Sequence, residues 1–123
     1  MYYAYVVEGL KDEHSNVGLK VGQTQNFDIR LKQLNIKGIV EPKLLFECET
    51  REDAEVIESL LRRYYIKHCK GLRVGNDWIE KIPFNSNIIR HKEFVAFLNM
   101  LNIKTVITFK KITDFKKIQR KIL

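Results

Sequence analysis

Cysteine is scarce in this chain: Cys48 and Cys69 are the two in 123 residues. That is too few for a disulfide scaffold, so a cytoplasmic chain with reduced thiols is expected. Long apolar runs are lacking too, whereas a membrane-spanning helix needs about 20 such residues. No membrane partner is therefore expected. The opening residues, MYYAYVVEGLK, have neither the basic start nor the apolar stretch of a secretory signal. Paired zinc-type spacing is missing. His68 and Cys69 are neighbours, while His14 and His91 lie far from them in the chain. Proline is limited to Pro42 and Pro83, and there is no internal repeat or low-complexity tract. What is present is 45% hydrophobic content, enough to exclude a wholly disordered protein. The length suits one core.

The formal net charge is +7, and it is unevenly spread. Residues 1–83 hold 13 Lys/Arg against 13 Asp/Glu and are neutral, whereas residues 84–123 hold 9 against 2 and carry the whole excess. The chain divides into a neutral body, 1–83, and a basic C-terminal extension, 84–123, packed on or beside it. Such a tail is either a solvated face or a surface for phosphates.

Tyr2 to Val7 is aromatic and β-branched, which predicts a strand, and Leu19 to Gln23 alternates as a return strand would. Asn26 is a good N-cap for a helix carrying Phe27, Leu31 and Leu34. Gly38 and Pro42 bound the next loop, and Leu44, Phe46 and Cys48 predict another strand. Cys48 reads as a small buried hydrophobe. Thr50-Arg51-Glu52-Asp53 opens a long helix with Ala54, Ile57, Leu61 and Tyr64 on its apolar stripe. Asn76 to Glu80 predicts a short final strand. The extension reads as a helix around Phe94, Phe97 and Leu98, a strand at 105–109, and a last helix with Ile112, Phe115, Ile118 and Ile122. The fold class is α+β, a small antiparallel three-stranded sheet flanked by helices, with a C-terminal helix-strand-helix extension.

Five features fall in a suggestive order. Tyr5 lies on the first strand, and Lys20-Val21-Gly22 ends the second. Arg30 lies on the first helix, eight residues after Gly22 and four after Asn26. Ala54-Glu55-Val56-Ile57-Glu58 lies on the long helix, and Gly75-Asn76-Asp77-Trp78 closes the body. Over roughly residues 2 to 80 this ordered set resembles the GIY-YIG nuclease superfamily, in its phage-type branch with Lys-Val-Gly in place of Tyr-Ile-Gly. The first tripeptide departs from the pattern, since Tyr3 and Ala4 precede Tyr5. Leu34 follows Arg30 by a turn, where some members carry a histidine.

The resemblance implies a small DNA endonuclease that uses Mg²⁺ or Mn²⁺, with Tyr5, Lys20, Arg30 and Glu58 as catalytic residues. Glu58 offers one hard carboxylate oxygen for such an ion. Arg30 can fork onto the scissile phosphate and stabilise the charge that develops there. A free phenol has a pKa of about 10. Tyr5 as base therefore needs Lys20 beside it as activator, and the reverse assignment stays open. Gly22 would let the backbone approach the site, and Asn76 would orient Glu58 or a metal-bound water. Lys110, Lys111, Lys116, Lys117, Arg120 and Lys121 would hold DNA, with RNA also compatible.

Taken singly, each residue has a plainer reading. Tyr5 is a core aromatic, Lys20 a solvated strand charge, Arg30 an exposed helix residue and Trp78 a lid on the core. Tyr64 and Tyr65 are divided between core packing and stacking on bases. Two other functions stay in play: a nucleic-acid-binding module without catalysis, and a partner-binding or dimerising protein using the tail helix. A nuclease requires Tyr5, Lys20, Arg30 and Glu58 to converge on one concave face.

Overall fold

A computed structural model describes residues 1–9, 18–37, 40–74, 78–80, 84 and 86–109. Strands β1 (Tyr2–Gly9) and β2 (Gly18–Thr24) form an antiparallel pair in which Tyr5 faces Gly22 and Val7 faces Lys20. Helix α1 (Phe27–Lys37) follows, then β3 (Val40–Cys48), helix α2 (Arg51–Lys67), and short strands β4 (Leu72–Val74) and β5 (Trp78–Glu80). A 3₁₀ turn at Asn87–Arg90 leads into α3 (Lys92–Met100), and β6 (Val106–Thr108) ends the described chain.

The expected three-stranded core is present as β2-β1-β3, all antiparallel. Short strands widen it on both sides, giving the order β4-β5-β2-β1-β3-β6 among the described residues. Alternation along β1 sends its side chains to two layers. Ala4 and Val6 join Leu19, Val21, Leu44 and Phe46 under α2, whose stripe is Ala54, Ile57, Leu61 and Tyr65. Tyr3, Tyr5 and Val7 join Leu45 under α1, whose stripe is Phe27, Leu31 and Leu34. Both helices are capped as their sequences require. Asn26 Oδ1 accepts from the Ile29 N–H at 3.1 Å, and Thr50 Oγ1 accepts from the Asp53 N–H at 3.1 Å.

Three local expectations are corrected. Pro42 lies within β3 and does not bound a loop before it. The β1–β3 register shifts between Val6 and Val7, so Lys43 is the extra residue of a bulge beside Pro42. Proline, which has no N–H for the ladder, is tolerated at such an irregularity. The stripe of α2 continues to Tyr65, which is fully buried, and Tyr64 is only half-buried. The final strand is described over Trp78–Glu80, and β4, absent from the sequence reading, pairs with it.

Residues 84–109 pack into the same two layers as the body. Phe94 meets Phe46 edge-on at 5.5 Å between centroids, and Phe109 stacks on Phe27 at 6.4 Å. β6 pairs with β3, and Glu8 on β1 accepts from the Phe84 N–H at 2.8 Å. The expected helix at 112–122 and the six basic residues Lys110 to Lys121 lie outside the described residues. No helix among the described residues is long and apolar enough to cross a membrane.

Candidate functional site

The α1 layer is where polar chemistry enters the interior. Tyr5 is fully buried, and its hydroxyl accepts a hydrogen bond from Arg30 Nε at 3.1 Å. Arg30 sits one turn into α1, where the Asn26 cap fixes the start of the helix over the end of β2. A second bond, from Arg30 Nη1 to Gln33 Oε1 at 3.3 Å, holds the guanidinium along the helix. Two of the five donors of the fork are thereby engaged in placing it.

Gly22 makes this arrangement possible. It lies directly across from Tyr5, and a Cβ there would overlap the Tyr5 hydroxyl and ring. The glycine is needed for space rather than for an unusual backbone angle. Lys20 faces Val7, one residue pair along the same face, so its stem rises about 7 Å from the Gly22 position. With 5% of its surface exposed, it is a buried cation and not the solvated strand charge of its plainer reading. No buried side-chain nitrogen or oxygen lacks a hydrogen-bond partner among the described residues. The site therefore places two cationic side chains and a phenol together, which is an anion-directed set.

Glu58 is placed differently. It follows Ile57 on α2, the helix packed on the other face of the sheet. Its carboxylate accepts from Arg62 Nη2 at 2.8 Å, one turn on. The structure brings Tyr5, Gly22, Lys20 and Arg30 to one face, and Glu58 comes from the opposite layer. Glu58 is thus supplied by the helix of the other layer, half-buried at the border of its apolar stripe. Asn76 lies outside the described residues. Trp78 is placed by its backbone in β5, where it pairs with Lys20.

As for a divalent ion, no group of three or more His, Cys, Asp or Glu could enclose one among the described residues. The donor set fits an ion held by one carboxylate, with water and substrate phosphate completing its shell, which is the ordinary mode for Mg²⁺. Glu58 is the candidate, and Arg62 already bonds its Oε1.

The sequence reading missed one cluster. His68, at the C-terminal end of α2, and His91, just before α3, are brought to 4.8 Å between ring centroids, although 23 positions separate them. Tyr64 contacts both, stacking on His68 at 5.2 Å and meeting His91 at 5.3 Å. Burial and the neighbouring Cys69 push the Tyr64 phenol above its ordinary pKa. The available signal was the 64/68 spacing, one turn of α2, which places those two rings on one face.

The fold and this face define a class: a small α+β sheet protein with a cationic, tyrosine-bearing cluster on one face of its central strands. The T5orf172 domain model matches residues 2–113, and the chain belongs to that family. The match runs across Pro83 without a break, and the domain points to a phage-type nuclease-like or DNA-binding module. No curated protein and no solved structure matches the chain.

Proposed function

We propose that the protein is a small divalent-metal-dependent DNA endonuclease of the GIY-YIG kind. The observation that carries this reading is the Arg30–Tyr5 hydrogen bond over Gly22, with Lys20 buried alongside. A phenol and a guanidinium held at 3.1 Å suit a reaction at a phosphodiester. Arg30 would bind the scissile phosphate and meet its growing negative charge in the transition state. Tyr5 would orient or deprotonate the attacking water, and Lys20 would favour the anionic form or contact the phosphate itself. Glu58 would hold Mg²⁺ or Mn²⁺, which when bound polarises the phosphate and eases departure of the 3′ oxygen. Arg62 holds Oε1 of the same carboxylate and would keep its orientation toward the ion.

The test is cleavage of plasmid DNA with Mg²⁺ or Mn²⁺ beside Glu58→Ala and Arg30→Ala. Cleavage lost in both variants supports the reading, while cleavage surviving in both defeats it. One observation favours a second reading. Glu58 lies in the opposite layer and is already paired with Arg62, as suits a DNA-binding module that keeps the phosphate-directed face without the metal step. Salt-dependent DNA binding with no cleavage under either ion would select it.

A further inference from the structure

We propose that the cleft between the C-terminal half of α2 and the start of α3 binds an unpaired nucleotide of a nucleic-acid strand, with its base on the Tyr64–His68–His91 rings and its phosphate on Arg63. This rests on the nucleic-acid reading above but uses other residues. The cleft is a small, half-open one of about 60 Å³. Its lining includes Arg63, Tyr64, His68, His91, Glu93 and Phe97.

Three observations point to a nucleotide. First, the three rings cluster with centroids 4.8 to 5.3 Å apart, Tyr64 stacked on His68 and His91 inclined to both. Phe97 adds an exposed ring from α3. Bases stack on such platforms without sequence preference. Second, the rings are not sealed into the core, since His68 is exposed and Tyr64 and His91 are half-buried. Third, the surroundings are cationic. Arg63 lines the cleft and is exposed, and the exposed Lys67, Arg90 and Lys92 are chain neighbours of its lining residues His68 and His91, which suits a phosphate backbone. Glu93 is the acidic member of the lining, and a carboxylate there can accept from a base amine but repels phosphate.

The test is fluorescence anisotropy of a labelled single-stranded oligonucleotide and of the same sequence as a blunt duplex, without divalent ions. The proteins are the full-length chain and its Arg63→Ala, Tyr64→Phe and Tyr64→Leu variants. One stacked base is worth about 1–3 kcal/mol, or roughly five- to 150-fold in affinity. Tyr64→Leu is expected to weaken single-strand binding within that range, and Tyr64→Phe, which keeps the ring, to restore it. Arg63→Ala, at an exposed position safe for folding, is expected to weaken it about tenfold and to flatten its salt dependence. Duplex binding should change less than about twofold.

Equal single-strand affinity in the wild type, Tyr64→Leu and Arg63→Ala proteins overturns the proposal and leaves the rings as helix packing. Competition by deoxyadenosine monophosphate as strong as by the oligonucleotide also overturns it, assigning the cleft to free nucleotides. A wild-type protein that binds no nucleic acid overturns it in favour of a protein partner. Failure of the nuclease reading is distinct: it appears as missing plasmid cleavage, with the cleft's single-strand binding intact.

Discussion

The two faces of the central sheet solve different problems with the same strands. Under α2, β1 and β2 contribute Ala4, Val6, Leu19 and Val21, and the helix answers with Ala54, Ile57 and Leu61. Nothing in that set is charged. Under α1, the alternate residues of the same strands include Tyr5, Lys20 and Gly22, and the helix adds Arg30. One face is built for stability, and the other buries a cation and a phenol that stability alone does not ask for. Burial of such groups is costly unless they are bonded, so a polar face under a helix is a sign of use rather than of packing. The comparison also explains Glu58: it belongs to the helix of the stable face and borders its apolar stripe.

The sharpest break of this contrast is Leu61→Ala. Leu61 is fully buried on the α2 face, and its loss is expected to cost about 2–5 kcal/mol in urea or thermal unfolding. Cleavage per folded molecule should be nearly unchanged. Arg30→Ala is the mirror experiment. It removes a half-buried side chain that bonds the buried Tyr5 hydroxyl and should cost about 1 kcal/mol in unfolding, less than Leu61→Ala. Cleavage should fall on the order of 100-fold, as when one charge-stabilising donor is lost. Gly22→Ala should lose cleavage too, and it should also lower stability by about 1–3 kcal/mol, because its Cβ overlaps the buried Tyr5 hydroxyl and ring. If Leu61→Ala abolishes cleavage in the folded protein, or Arg30→Ala unfolds the chain, the division between faces fails.

A smaller effect concerns the helix that carries the stable face. Thr50 caps α2 through the Asp53 N–H. Thr50→Ala should lower stability by about 1 kcal/mol, measured by urea unfolding, and Thr50→Ser should restore it.

Most of the elements were legible because their signals are local. The Phe27/Leu31/Leu34 and Ala54/Ile57/Leu61 spacings, two good N-caps and the alternation of β1 and β2 each depend on a few neighbouring residues. The misses are all consequences of pairing at a distance. Pro42 looks like a loop residue until the Lys43 bulge accommodates it against Val7, and three residues such as Leu72–Val74 form a strand only because β5 lies beside them. The Tyr5, Gly22 and Arg30 positions were readable from spacing along one strand-helix unit. That Lys20 is buried, and that Glu58 comes from the other layer, depends on which face each helix covers, which no local pattern encodes. His68 and His91 are neighbours only because α3 returns to the end of α2.

The last test probes the edge of the stable face, where Cys48 pairs with Tyr2 at the end of β3. Burial pushes the Cys48 thiol up to about 11 from 9.0, and the charge of Asp53 adds to the effect. An unfolded thiol loses its proton near 9, so between about 9 and about 11 the folded state holds a proton that the unfolded state has released. Folding stability should therefore be insensitive to this group at neutral pH and fall as pH rises through that window. The raised phenols of Tyr3, Tyr64 and Tyr65 act in the same direction at the alkaline end. Cys48→Ala should flatten the early part of the decline in unfolding midpoint against pH, leaving the tyrosine part in place. The same burial predicts that a thiol reagent at neutral pH modifies Cys48 only after unfolding, because the thiolate is the reactive form. Rapid modification of Cys48 in the native protein would mean that this edge opens, and the α2 face would lose its standing as the rigid one of the pair.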